Sequence, residues 1–184
     1  MRVSLDEIVL TLRDLFVKYG LDEADAMLCA RVHAQSSADG IYSHGLNRVP
    51  RFIEFIEAGY IKVKGKPSLV KAFGSLEVYN GNLGVGISNA MFASERAMQL
   101  AREHGIGLVG LNKTTHWMRG GTYGLEVANQ GYVGIMWTNT ESIMPPWGGV
   151  DAKLGNNPFV MAVPSVKGPV LLDMAMSQFS YGKL

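Results

Sequence analysis

Apolar residues recur at helical spacing over the first sixty positions; beyond them, short apolar runs of strand length alternate with helical ones. Leu5, Ile8, Val9, Leu12 and Phe16 fall on one helical face. Ser4 stands before that run with Glu7 three residues on, a pairing that closes a helix N-terminus, and Gly20 ends it. A second helix is predicted from Asp22, with Met27, Leu28 and Val32 on a shared face before Gly40. The third run, "SHGLNRVPRFIEFIEAG" at 43–59, puts Val49, Phe52, Ile53 and Ile56 on its apolar side. Ser43 is its predicted cap, and Pro50 either bends it or begins a new helix.

From residue 60 the character changes. "SLVKAF" and "LEVYNG" read as strands joined by a glycine turn. "ISNAMFASERAMQLAREHG" reads as a helix capped by Ser88 or Asn89, and "IGLVGLN" as a strand. "TYGLEVANQG" is a short helix with Thr122 as its cap, while "YVGIMW", "FVMAVP" and "PVLLDMA" are apolar runs of strand length. The pattern predicts an α/β chain, with a helical N-terminal segment at 1–60 and an α/β body at 61–184. The last stretch, "SQFSYGKL", opens a new segment and stops, which suggests an incomplete version of a longer fold.

Gly105, Gly107 and Gly110 spell G-x-G-x-x-G. A phosphate-binding glycine loop needs a strand before it and a helix after it, so that the helix N-terminus meets the phosphate. Here the predicted helix ends at His104 and a strand follows, so the glycines read as a helix cap and strand residues. "GNLGVGISNA" at 81–90 does precede a helix, but its third glycine is missing. The acidic residue expected about 20 positions on is absent too, since Asn112 closes "IGLVGLN". A Rossmann site is expected at neither place.

Composition narrows the function classes. The 184 residues are 47% hydrophobic and 18% charged, which suits a globular chain and not a disordered one. The net charge of +1 and the scattered basic residues argue against a nucleic-acid partner. "KVKGK" at 62–66 reads as a solvated loop. No apolar run approaches the roughly 18 residues of a membrane span, so no membrane partner is expected. Cys29 is the only cysteine, which makes reduced cytoplasm the expected compartment.

Two of the four histidines have an arginine at the three- or four-residue spacing of neighbouring helix turns. His44 and Arg48 are four apart, which in a helix shares a face, and His116 and Arg119 are three apart. Arginine grips a carboxylate through two parallel hydrogen bonds, and histidine exchanges a proton near neutrality. Such pairs suit an acid with a neighbouring carbonyl or hydroxyl; the same spacing also serves plain surface pairs. Neither H-E-x-x-H nor a cysteine pair is present, so no metal is expected, and G-x-S-x-G is absent. Asp173 sits among apolar residues, where a buried carboxylate needs partners: it could cap a backbone or hold a cofactor hydroxyl. "MPPWGG" and "GNNP" are loops that could offer a stacking wall and polar amides, or be plain turns.

"GIYSHGLNRVPRF", "THWMRGGTYG", "MPPWGG", "GNNP" and "LLDMAMSQFSYG" occur in this order. In that order the chain resembles the malate/L-lactate dehydrogenase type-2 oxidoreductases over essentially its whole length. "HWMRGG" and "WTNTESIMPPWGG" are most similar to the 2,3-diketo-L-gulonate reductase branch. The resemblance implies a non-Rossmann fold with a largely antiparallel sheet, a homodimer, and NADH, or NADPH, as cofactor. It implies hydride transfer to a 2-oxo acid such as 2,3-diketo-L-gulonate. The alternatives are a malate-, lactate- or ureidoglycolate-type dehydrogenase, or an inactive fragment of such an enzyme. His44 would be the proton donor, although related members assign the acid/base role to the histidine matching His116. Arg48 would bind the substrate carboxylate with help from Arg119. Pro169, Val170, Leu171, Leu172, Asp173, Met174 and Ala175 match a cofactor-binding segment, and Thr140 is a further cofactor candidate. The family continues beyond "FSYG", and "THW" stands here for "NHW".

Overall fold

The computed structural model describes residues 2–177. The chain divides into two compact units, Met1–Arg119 and Gly120–Leu184, and the change of character near residue 60 lies inside the first.

In the first unit, α1 (Leu5–Lys18) and α2 (Glu23–Ala38) begin as predicted. Ser4 Oγ accepts the Glu7 N–H at 3.2 Å, and Asp22 Oδ1 accepts the Asp25 N–H at 2.9 Å. Leu12 and Phe16 of α1, Cys29 and Val32 of α2, and Phe52 and Ile53 of the next helix bury together in one core. Each large apolar side chain closed off this way stabilises the unit by roughly 2 kcal/mol.

The third helical run is broken. Tyr42–His44 and Leu46–Arg48 form two separate 3-10 turns, and α3 (Val49–Glu57) starts only afterwards, with Pro50 in its first turn. Gly45 divides the turns because it lies against α2. A Cβ there would stand 2.1 Å from Ser37 Oγ and 2.8 Å from Ser37 N. Ser37 Oγ accepts the Leu46 N–H at 2.8 Å. Ser43 therefore does not cap α3; it lies inside the first turn. Pro50 begins the helix, where a missing N–H costs nothing.

β1 (Ser68–Phe73) and β2 (Leu76–Asn80) form an antiparallel hairpin. From β2 the chain runs through α4 (Gly86–His104) to β3 (Leu108–Asn112), which pairs parallel with β2. The glycine label resolves as expected. Gly105 ends α4 in a left-handed conformation (φ 81°), and Gly110 lies within β3. The start of α4 differs from expectation, because neither Ser88 nor Asn89 caps it. Val85 occupies the cap position with no side-chain bond. Asn89 is buried inside the helix, and its amide donates to Gly81 O at 3.0 Å and Thr114 Oγ1 at 2.9 Å. Glu77 of β2 fastens the sheet to α4, accepting from Arg96 at 2.7 and 2.8 Å and from the Tyr79 hydroxyl at 2.7 Å. The Arg96 guanidinium, helped by Tyr79, holds the Glu77 carboxyl down at about 2 against the opposing effect of burial.

In the second unit α5 (Gly120–Asn129) starts two residues before Thr122. β4 (Gly134–Trp137), β5 (Phe159–Val163) and β6 (Val170–Met174) make an antiparallel sheet in chain order. α5 packs on it, burying Tyr123, Val127 and Ala128 on the helix and Val160 and Ala162 on β5. Across both sheets three of the four strand pairings are antiparallel, so the architecture is mixed α/β with a largely antiparallel, non-Rossmann plan. Among the described residues no helix is long and apolar enough to cross a membrane.

Candidate functional site

The segment after β3 is tied onto the start of α4. The Gly86 N–H donates to Thr115 Oγ1 at 2.9 Å, and the Thr115 hydroxyl donates to Gly84 O at 2.8 Å. Gly86 lets the backbones approach: a Cβ there would stand 2.2 Å from His116 O and 2.3 Å from Thr115 O. A donor that a phosphate loop would offer to a ligand is used here to position His116.

The 3-10 turns bring His44 to the same place. The His44 and His116 rings stack with centroids 5.6 Å apart and planes 29° apart. Ser43 Oγ lies 3.0 Å from His44 Nδ1, and the Met118 N–H donates to His116 Nδ1 at 2.9 Å. Arg48 and His116 share a crevice with Arg51, Phe52, Phe55 and Met118. Its volume, about 20 Å³, suits a water molecule and not an organic acid. His116 keeps an edge open to solvent, and a ligand would approach there. Removal of water around the ring, then the charge of Arg48 and the neighbours His44, Arg51 and His33, lowers the His116 pKa to about 3. A larger open cleft of about 500 Å³, whose lining includes Lys62, Lys64, Asn80, Asn82 and Lys113, contains neither histidine. Chemistry belongs with the imidazoles, so the small crevice and the open edge of His116 mark the candidate site.

Other expected residues stand elsewhere. Arg119 forms an ion pair with Asp39 at the end of α2, so its guanidinium already meets a carboxylate. In the second unit Pro169 leads into β6, Val170–Met174 form it, and Ala175 follows it. Among the described residues β6 stands at the edge of its sheet. The apolar neighbours of Asp173 predict burial, but at that edge it is exposed. Its Oδ2 accepts the Gly121 N–H at 2.9 Å, where a carboxylate suits the start of α5. Thr140 Oγ1 accepts the Asn157 N–H at 3.4 Å. Of the "LLDMAMSQFSYG" motif, residues from Gln178 onward lie outside the described residues. Among the described residues no group of three or more His, Cys, Asp or Glu is placed to hold a metal.

The sequence profile of the malate/L-lactate dehydrogenase family matches residues 3–184. The chain belongs to that family. It is 40% identical over 185 residues to the 2,3-diketo-L-gulonate reductase of Escherichia coli, a match covering 100% of this chain and 55% of the relative. Among solved structures it resembles malate dehydrogenase from Pyrococcus horikoshii, with TM-score 0.96 and 31% identity over 100% of this chain and 53% of the other. Sulfolactate dehydrogenase from Methanocaldococcus jannaschii gives TM-score 0.94 and 33% identity over 100% and 53%. The chain thus spans about half the length of the relatives it matches.

Within this member of the family, sequence spacing pairs His44 with Arg48 on one helix face, which is not how they meet. They occupy separate 3-10 turns, and the ring beside His44 is that of His116. Spacing alone also leaves Arg51, Thr115 and Met118 unmarked. Only Thr115 had a legible signal, as a hydroxyl preceding the histidine. Arg51 meets His116 through folding that joins residues more than sixty positions apart, while Met118 lies two residues from His116 and aims its N–H through a left-handed backbone.

Proposed function

We propose that this chain supplies acid-binding and proton-transfer groups to an oxidoreductase that moves hydride from NADH, or NADPH, to a 2-oxo acid, with 2,3-diketo-L-gulonate as substrate. The observation that carries this reading is the stacked His44 and His116 pair beside Arg48. Arg48 grips the carboxylate through its planar fork. His44 gives its proton to the neighbouring carbonyl oxygen as hydride reaches the carbon. Arg119, engaged by Asp39, stays outside this anchor. A nicotinamide, when bound, supplies the hydride. The second unit suits such a group in one respect, because β6 stands at the edge of its sheet among the described residues and carries exposed Leu172 and Met174. Backbone groups at such an edge can pair with a carboxamide or ribose hydroxyl, and the apolar side chains can lie against a flat ring. The segment Pro169 to Ala175 would hold it, with Thr140 contributing a hydroxyl. A cytoplasmic homodimer completes the reading.

A second substrate assignment, to malate, lactate or a related 2-hydroxy acid, draws on the likeness to malate and sulfolactate dehydrogenases. Arg48 and His44 serve either, since both substrate classes carry a carboxylate next to the reacting carbon. Steady-state NADH and NADPH oxidation with a panel of 2-oxo acids tests both. Faster turnover of 2,3-diketo-L-gulonate than of oxaloacetate or pyruvate supports the first assignment, and the reverse supports the second. Cofactor binding without turnover of any acid marks an inactive fragment, and the reductase reading then fails.

A further inference from the structure

The two histidines differ in what faces Nδ1. At His116 it is the Met118 N–H, 2.9 Å away. A backbone N–H only donates, so the ring nitrogen it meets holds its lone pair there. We infer that His116 works as a neutral hydrogen-bond donor through Nε2–H, fixed in that tautomer by Met118, and that it carries no proton in the reaction. The inference rests on the oxidoreductase reading and divides the work of its two imidazoles.

Met118 is a positioning residue. It holds a left-handed backbone (φ 65°) that a non-glycine residue rarely adopts, while its side chain is 4% exposed within the core of the first unit. Packing therefore maintains the conformation that aims its N–H at His116. A second proton on His116 would have to sit on Nδ1, facing that N–H. The groups around the ring act in the same direction. Arg48 from the second 3-10 turn, Arg51 from α3, His44 from the first turn and His33 from α2 all disfavour a cation.

His44 is built differently. Its Nδ1 faces the Ser43 hydroxyl at 3.0 Å, and a hydroxyl can accept as well as donate. His44 Nδ1 can therefore hold a proton where His116 Nδ1 cannot. Two stacked imidazoles resist being charged together, so keeping one neutral favours charge on the other. The atoms then balance. Hydride adds to the carbonyl carbon, the C=O π pair takes a proton from imidazolium His44, and neutral imidazole remains. His116 Nε2–H bonds to the same oxygen as its charge builds and keeps its own proton.

Nitrogen NMR of the chain labelled with ¹⁵N-histidine tests the tautomer independently of activity. The spectrum should contain one histidine with unprotonated Nδ1 and protonated Nε2, unchanged across about pH 5 to 8, where an ordinary histidine titrates. Its loss in His116→Gln assigns it. An Nδ1–H tautomer, or a second proton gained in that range, overturns the inference. Turnover supplies a second arm. Glutamine places an amide N–H where Nε2–H stands but cannot carry a proton. His116→Gln should therefore stay within about tenfold of the parent with an unmoved pH profile, since a lost acid costs about 10² to 10⁴. His116→Leu, lacking the donor, should fall about 10² to 10³. Equal losses in the two variants overturn the donor role. A parent that turns over no acid refutes the oxidoreductase reading, and the nitrogen spectrum still decides the tautomer.

Discussion

Gly86 is where a single methyl group would reach the site from outside it. An alanine Cβ would stand 2.2 Å from His116 O and 2.3 Å from Thr115 O, against 3.4 Å or more for an ordinary contact. Both obstacles are backbone, so the loop must retreat by about 1.2 Å, the difference between 3.4 and 2.2 Å. That retreat strains three hydrogen bonds, from Gly86 N–H to Thr115, from Thr115 to Gly84 and from Asn89 to Thr114. At about 1 kcal/mol each they cost about 3 kcal/mol. Gly86 is the first residue of α4, where alanine returns little of the propensity gain of a helix interior, so the expectation for Gly86→Ala is a destabilisation of about 3 kcal/mol, measured by urea unfolding. Where turnover is measurable, the displaced His116 should lower kcat/KM by about 10². Gly110→Ala is the control, because its Cβ would meet nothing closer than Val78 Cγ2 at 3.8 Å. It should leave stability within about 0.5 kcal/mol. Equal stability of the two variants would refute the steric reading of this loop.

Arg48→Ala should raise KM for 2-oxo acids by 10-fold or more, on the order expected for losing a charge-assisted anchor; an unchanged KM removes Arg48 from the substrate site. His33 is buried between Phe16 and Phe52, its Nε2 has no hydrogen-bond partner, and burial lowers its pKa from 6.5 to about 4. Below pH 6.5 the unfolded chain gains a proton that the folded chain refuses, so stability falls as pH drops from 6.5 towards 4. At about 1.4 kcal/mol per pH unit, His33→Phe should lose about 2.5 kcal/mol less than the parent between pH 7.5 and 4.5, and parallel pH curves would contradict this. Glu77 acts in the same direction at lower pH. Its lowered pKa gives stability present above 4.5 and lost as pH falls towards about 2. Arg96→Leu should be less stable than Glu77→Gln in urea unfolding at pH 7, because it leaves a carboxylate without its cation.

What the sequence made legible follows the range of the forces involved. Ser4 and Asp22 cap helices through bonds spanning three residues, and Gly105 ends one through its own backbone, so local pattern identified all three. The break at Gly45 depends on Ser37 across a tertiary contact, and a periodicity of apolar residues carries no trace of it. The cap of α4 is supplied by Thr115, 29 positions away, which is why Ser88 and Asn89 were the nearer but wrong candidates. Asp173 was misjudged for a related reason. Apolar neighbours suggest burial only when both faces of a strand are covered, and Asp173 meets just the start of α5 and stays exposed. In the site, residue types were readable and their partners were not. Histidine near arginine suits an acid ligand, although the same spacing also serves plain surface pairs. Which imidazole can accept a second proton is decided by one backbone N–H at Met118, whose direction comes from left-handed geometry enforced by the core. The division of labour proposed for His44 and His116 therefore comes from the packed fold and not from the spacing of the two histidines.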